Sequence, residues 1–233
     1  MFILKNILLT LASPTIVSYD SVISKSTVSV ENKLIIFVDG SNLYHSLVET
    51  GFKPGKVDYH KLFEKISNIK NPIVRFYIAA LTKDFTEKER SSQQTFFSNL
   101  RKNPNLSIHF GKLQKTRNTV FQQTLVIKSL GFCNKCLEKA GLLLSAFSPS
   151  SFKEKGVDVK IAIDLVIMAE KNEFNTAILL SGDTDLVPAV EHSTKNKKVI
   201  NAYFDLTSGK MLREASSSTF RITKETITSC LKD

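Results

Sequence analysis

The sequence predicts an α/β fold, a three-layer α/β/α sandwich around a central parallel sheet of about five strands. Three observations carry this. Short apolar runs alternate with longer helix-period stretches five times, the pattern of right-handed strand–helix–strand crossovers. Two of the runs, LIIFV at 34–38 and AILL at 177–180, contain no polar residue, as strands buried on both faces require. A hydrophobic content of 42% over 233 residues is enough for one sizeable core.

Residues 1–32 read as an N-terminal extension. FILKNILLTLASPTIV at 2–17 has the look of a weak signal-peptide core, but Lys5 and Asn6 interrupt it and no A-x-A cleavage site follows. It also falls short of the roughly 20 apolar residues a membrane-spanning helix needs. The domain is expected to cover 33–224, with 225–233 as a C-terminal tail. Its first strand, 34–38, ends in Asp39, and Ser41 or Asn42 can cap the helix that continues through Leu43, Leu47 and Val48. After a loop at 51–56, Val57, Tyr59, Leu62, Phe63 and Ile66 form a helical stripe, with Asp58 as its start residue. IVRFYIAA at 73–80 is a strand and 86–102 a polar helix facing inward through Phe96, Phe97 and Leu100. LSIHFGK at 106–112 is the next strand, and His109 inside it reads as a structural, hydrogen-bonded histidine. Residues 113–155 read as an insertion near the mouth of the site. VDVKIAIDLVIMAEK, from Val157, is a buried helix, followed by the strand at 177–180, a helix over about 186–195 and a strand at 198–204. Residues 213–222 close the domain.

Chemistry is expected where the apolar runs break. Ligand sites in open α/β sheets lie outside the carboxyl ends of the strands. Asp39 ends the first strand, and Asp183 and Asp185 follow the strand at 177–180 after Ser181 and Gly182. Asp158 lies in the first turn of its helix on the stripe of Ile161, Ala162 and Leu165, facing the edge where the others emerge. Asp164 is rotated about 120° from it and is the weaker candidate. Each aspartate alone has a plain structural reading as a helix cap or a dipole partner. Together, four carboxylates cannot stay ionised without a cation, and Mg²⁺ or Mn²⁺ suits an all-oxygen site that leaves positions for water and phosphate.

The net charge of +10 favours a polyanionic partner, nucleic acid ahead of a membrane. Basic groups recur at Lys112, Lys115 and Arg117, at Lys153 and Lys155, at Lys195, Lys197 and Lys198, and at Arg213, Arg221 and Lys224. Three cysteines do not make a secreted disulfide framework, so a reducing, cytoplasmic compartment is expected. Cys133 and Cys136 form a lone C-x-x-C, half of a zinc site, which is not expected to hold zinc within one monomer. Cys230 or a partner subunit in a homodimer are the remaining sources of ligands.

The blocks FVDGSNLY at 37–44, KGVDVKIAIDL at 155–165 and LLSGDTDLVPAV at 179–190 resemble, in order, those of the NYN domain family of PIN-like nucleases, in its LabA-like branch. The resemblance covers roughly 33–224 and implies a PIN-like sandwich, a divalent metal (Mg²⁺ or Mn²⁺) and RNA cleavage, hence a metal-dependent (endo)ribonuclease acting on single-stranded RNA. It implies Asp39, Asp158, Asp183 and Asp185 as catalytic metal ligands. Asn42 matches the polar residue beside the first ligand and Ser181 the small hydroxyl residue before the pair; with Thr184 they are the expected substrate-positioning groups.

Two other readings are weighed against this. A catalytically idle RNA-binding scaffold of the same fold would be expected to have lost acids, and none of the four is lost. A Mg²⁺-dependent phosphatase of the haloacid dehalogenase type needs D-x-D, but Asp39 is followed by Gly40 and Ser41. Gly-rich phosphate loops are absent as well.

Overall fold

The computed structural model describes residues 33–115, 127–147, 152–205 and 209–232. The chain divides into two units, Met1–Glu31 and Asn32–Asp233; the expected N-terminal extension lies outside the described residues. The second unit runs β1 (Leu34–Asp39), α1 (Gly40–Glu49), α2 (Tyr59–Ser67), β2 (Ile73–Ala79), α3 (Glu87–Leu100), β3 (Leu106–Lys115), α4 (Asn134–Phe147), β4 (Phe152–Lys155), α5 (Val157–Glu170), β5 (Thr176–Leu180), α6 (Val187–Ser193), β6 (Lys198–Phe204), α7 (Lys210–Ala215), β7 (Ser218–Ile222) and α8 (Lys224–Thr228).

These strands form one sheet in the order β4-β3-β2-β1-β5-β6-β7. Every pairing is parallel except β3 with β4. From β1 the chain builds outward through β2 and β3, then returns to the other side of β1 and builds through β5, β6 and β7. The reversal lies between β1 and β5, the position at which open α/β sheets leave a crevice for ligands.

The two-residue period of β1 splits its side chains between two cores. Ile36 and Val38 pack with α1, α2 and α8, through Leu43, Leu47, Leu62, Phe63 and Ile227. Ile35 and Phe37 pack with α5, α6 and α7, through Ile161, Leu165, Val190 and Leu212. Helices therefore cover both faces and the architecture is the three-layer sandwich. α3 starts on a capping box between Thr86 and Glu89 and buries Phe97 and Leu100, with Phe96 packed beside them.

The sheet is wider than the expected five strands. β7 carries mostly exposed side chains, and β4, FKEK, is a four-residue polar edge strand. Edge strands need no apolar run, so neither leaves a signal of the kind that marks β1 and β5. Residues 225–233, expected as a tail, include part of α8, with Ile227 and Cys230 buried in the first core. Among the described residues no helix is long and apolar enough to cross a membrane.

Candidate active site

Asp39 ends β1 at the reversal and is 4% exposed. It is the N-cap of α1, in place of the expected Ser41 or Asn42. Its Oδ1 accepts the Asn42 backbone N–H at 3.0 Å and its Oδ2 the Ser181 hydroxyl at 3.0 Å. Cap and strand tip are thus one residue, and Gly40 behind it is obligatory. A Cβ there would lie 2.6 Å from the Phe76 ring and 2.8 Å from the Tyr77 carbonyl oxygen.

A second set of bonds ties the end of β5 to the same point. Asn42 Oδ1 accepts the Gly182 N–H at 3.0 Å, and Ser181 Oγ accepts the Asp183 N–H at 3.1 Å. Asp183 then caps the short 3₁₀ turn Thr184–Leu186, accepting the Asp185 N–H at 2.9 Å. Ser181 is buried and its hydroxyl both donates to Asp39 and accepts from Asp183, so it faces the acid and not solvent. Asn42 spends its oxygen in the same way, whereas Thr184 and Asp185 are exposed on the turn.

Asp158 lies in the first turn of α5 and is half-buried. Burial raises its pKa above the ordinary carboxylate value, and Asp183, Glu154 and Asp185 raise it further through their charge. Asp39 is pushed up to about 6, chiefly by burial; the bonds from Asn42 and Ser181 oppose this, and the charges of Asp158 and Glu154 add to it. The charged neighbours acting on these two acids are all negative, which is a costly arrangement for a structural role alone. The acids share a field, but among the described residues no three His, Cys, Asp or Glu stand close enough to hold a metal ion. Local bonds set this spacing: Asp39 is fixed by Asn42 and Ser181, and Asp183 by the turn it caps.

Glu154 is a member that the sequence did not disclose. It lies on β4 within the stretch expected to be an insertion, and it accepts hydrogen bonds from the Ser41 hydroxyl and the Ala79 N–H. Its only sequence signal is the proximity of F-K-E-K to the K-G-V-D block. Two supporting residues were equally silent. Asn201, buried on β6, donates to the Leu179 and Ser181 carbonyl oxygens at 3.1 and 2.9 Å. Gly209 has φ +102°, and a Cβ on it would lie 2.7 Å from the Gly182 carbonyl oxygen. Glycine after a strand and before a helix, as in D-G-S-N, was the available hint.

The remaining candidates lie elsewhere. Asp164 is paired with Arg75 at 2.7 Å and with the Tyr77 hydroxyl at 2.7 Å. Burial acts against its charge, but those two bonds outweigh it and hold the carboxyl below its usual value. Asp58 caps α2, as expected of a helix-start residue. His109 bonds Ser107 at 2.9 Å and stacks on Tyr77, the structural role expected of it. Cys133 and Cys136 are exposed and Cys230 is buried.

Basic residues flank the acids. Lys112 stands directly opposite Lys155 across the β3–β4 ladder, with Lys153 opposite Gln114. Directly opposed residues share a face, so three exposed lysines crowd one face of the ribbon whose other face carries Glu154. Facing lysines repel one another.

No curated protein matches the chain. The fold is similar to the crystal structure of a protein of unknown function from Vibrio parahaemolyticus. That likeness has a TM-score of 0.51 at 17% identity and covers 84% of this chain and 96% of that one. The model of the NYN domain matches residues 33–223, a span that contains the Asp39 tip, the Asp158 helix start and the Asp183 turn, and the chain belongs to the NYN domain family of nuclease-like domains.

Proposed function

We propose that the protein is a divalent-metal-dependent ribonuclease acting on single-stranded RNA. The observation that carries this reading is Asp39 at the sheet reversal, whose pKa is raised first by burial and then by the charges of Asp158 and Glu154. A donor set made of carboxylate oxygens fits a hard cation, Mg²⁺ or Mn²⁺, with Asp39, Asp158, Asp183 and Asp185 as the groups that would hold it and Glu154 beside them. When bound, such an ion supplies an activated water and neutralises charge on the phosphoryl group.

The protein's own part is positioning. Ser181 and Asn42 orient Asp39, while Asn201 and Gly209 brace the turn that presents Asp183. Thr184, exposed on that turn, is the hydroxyl that would reach a phosphate. Lys112, Lys153 and Lys155 draw the strand toward the edge through contacts to its phosphates, without reading its sequence. Among the described residues no recognition helix for a duplex groove is evident, which favours an unpaired strand.

The second reading is an RNA-binding scaffold without cleavage, favoured by the spacing of the carboxylates. Incubation with a mixed set of labelled RNAs separates the two. Cleavage that starts on addition of Mg²⁺ or Mn²⁺ and stops with chelator supports the nuclease; binding with intact RNA in both ions supports the scaffold.

A further inference from the structure

A cavity of about 640 Å³ opens between α1, residues 54–59 and α3, and its rim includes Ser41 and Glu154, the bonded pair at the acidic edge. We propose that this cavity receives one unpaired nucleobase of the substrate strand, next to the phosphate held at the acids; the proposal rests on the ribonuclease reading above.

Three features of the cavity point to a base. Its size lies within the roughly 300–1,000 Å³ range of small-ligand pockets. Its walls are aromatic: Tyr44, Tyr59, Phe76, Phe85 and Phe96 line it, and flat rings are the surface on which bases stack irrespective of sequence. Its position continues the acidic edge, so a nucleotide with its phosphate at the carboxylates has its base within reach of the opening.

Several of the polar groups that line it are already engaged. Gln93 accepts the Leu81 N–H at 2.8 Å and donates to the Ala79 carbonyl oxygen at 3.2 Å. Glu89 closes the capping box of α3, and the Tyr59 hydroxyl donates to the Pro54 carbonyl oxygen at 3.1 Å. With Gln93, Glu89 and Tyr59 bonded within the protein, the cavity recognises a base mainly by stacking and shape. It therefore accepts all four bases with little preference.

The test uses the full chain in chelator with probes that carry no phosphate, because metal-free carboxylates would repel one. The probes are the four ribonucleosides against ribose, followed by NMR of the aromatic resonances. The expected result is that all four nucleosides shift tyrosine and phenylalanine signals with affinities within about fivefold of one another, and that ribose binds at least tenfold more weakly. Tyr44 is 52% exposed, so Tyr44→Ala is tolerated by the fold; it is expected to weaken nucleoside binding roughly tenfold, the loss of one stacking partner. Ser92 is exposed on α3 where the helix lines the cavity, so Ser92→Trp fills the space and is expected to abolish binding. Equal binding of ribose, absence of nucleoside binding, or unchanged affinity in both variants overturns the proposal. Because cleavage is not read, these outcomes are independent of whether RNA is hydrolysed.

Discussion

Asp39 combines near-complete burial with the charge of its acidic neighbours, and its titration is the most direct report on the site at the scale of a single residue. Its pKa rises from 3.8 in the unfolded chain to about 6 in the fold. The folded state therefore binds this proton more tightly, so stability is highest below about pH 4, falls as the pH rises from 4 to 6 and stays lower above. At about 1.4 kcal/mol for each pH unit between the two values, the penalty at pH 7 is roughly 3 kcal/mol. Asp39→Asn is expected to remove most of it, melting higher than wild type at pH 7.5 in chelator and equally at pH 4; thermal melts at the two pH values check this. At this scale the sequence disclosed the aspartates, since each interrupts an apolar pattern at a strand tip or helix start. It did not disclose Glu154, because an acid in a polar edge strand looks like any solvated glutamate. The inward turn of Ser181 was hidden too: a hydroxyl beside two acids reads equally well as facing substrate or scaffold.

The elements that matter most are the two turns behind the acids and the β3–β4 ribbon beside them. Gly209→Ala meets both a left-handed backbone and the Gly182 carbonyl oxygen, whereas Gly51, at φ +90°, has nothing within 4 Å of the added carbon. Gly51→Ala is expected to cost about 1 kcal/mol and leave activity unchanged; Gly209→Ala is expected to cost about 2 kcal/mol or more and to depress activity further, because it displaces the turn carrying Asp183. Chemical denaturation and turnover measured on both variants decide this. Replacing Lys112, Lys153 and Lys155 together with Gln is expected to lower the slope of log affinity against log salt by about 2, at roughly 0.7 for each phosphate contact on a single strand. An unchanged slope places the RNA path elsewhere. Long apolar strands and amphipathic helices were legible because burial writes a period into the sequence; β4 and β7 were not, because edge strands bury too little.

For the molecule as a whole, both cores are built from residues within Asn32–Asp233, and the two meet at β1. A chain beginning at Asn32 is expected to melt within a few degrees of the full chain. Phe37→Ala, which empties a fully buried site beside Tyr77 and Phe174, is expected to cost about 3–5 kcal/mol. The sheet reversal between β1 and β5 is what joins this packing to function, since it brings Asp39 and Ser181 into contact from positions 142 residues apart. The measurement that bears most directly on this is cleavage of labelled single-stranded RNA by wild type, Asp39→Asn and Asp183→Asn in chelator, Mg²⁺ and Mn²⁺, with RNA affinity measured alongside. The expected result is cleavage by wild type only with a divalent ion, a loss of about a hundredfold or more in either variant, and RNA affinity unchanged within about twofold, because neither substitution touches the lysines proposed to meet the phosphates or the cavity proposed to take a base. Cleavage by both variants at the wild-type rate, or RNA bound but left intact by wild type in both ions, would contradict the account.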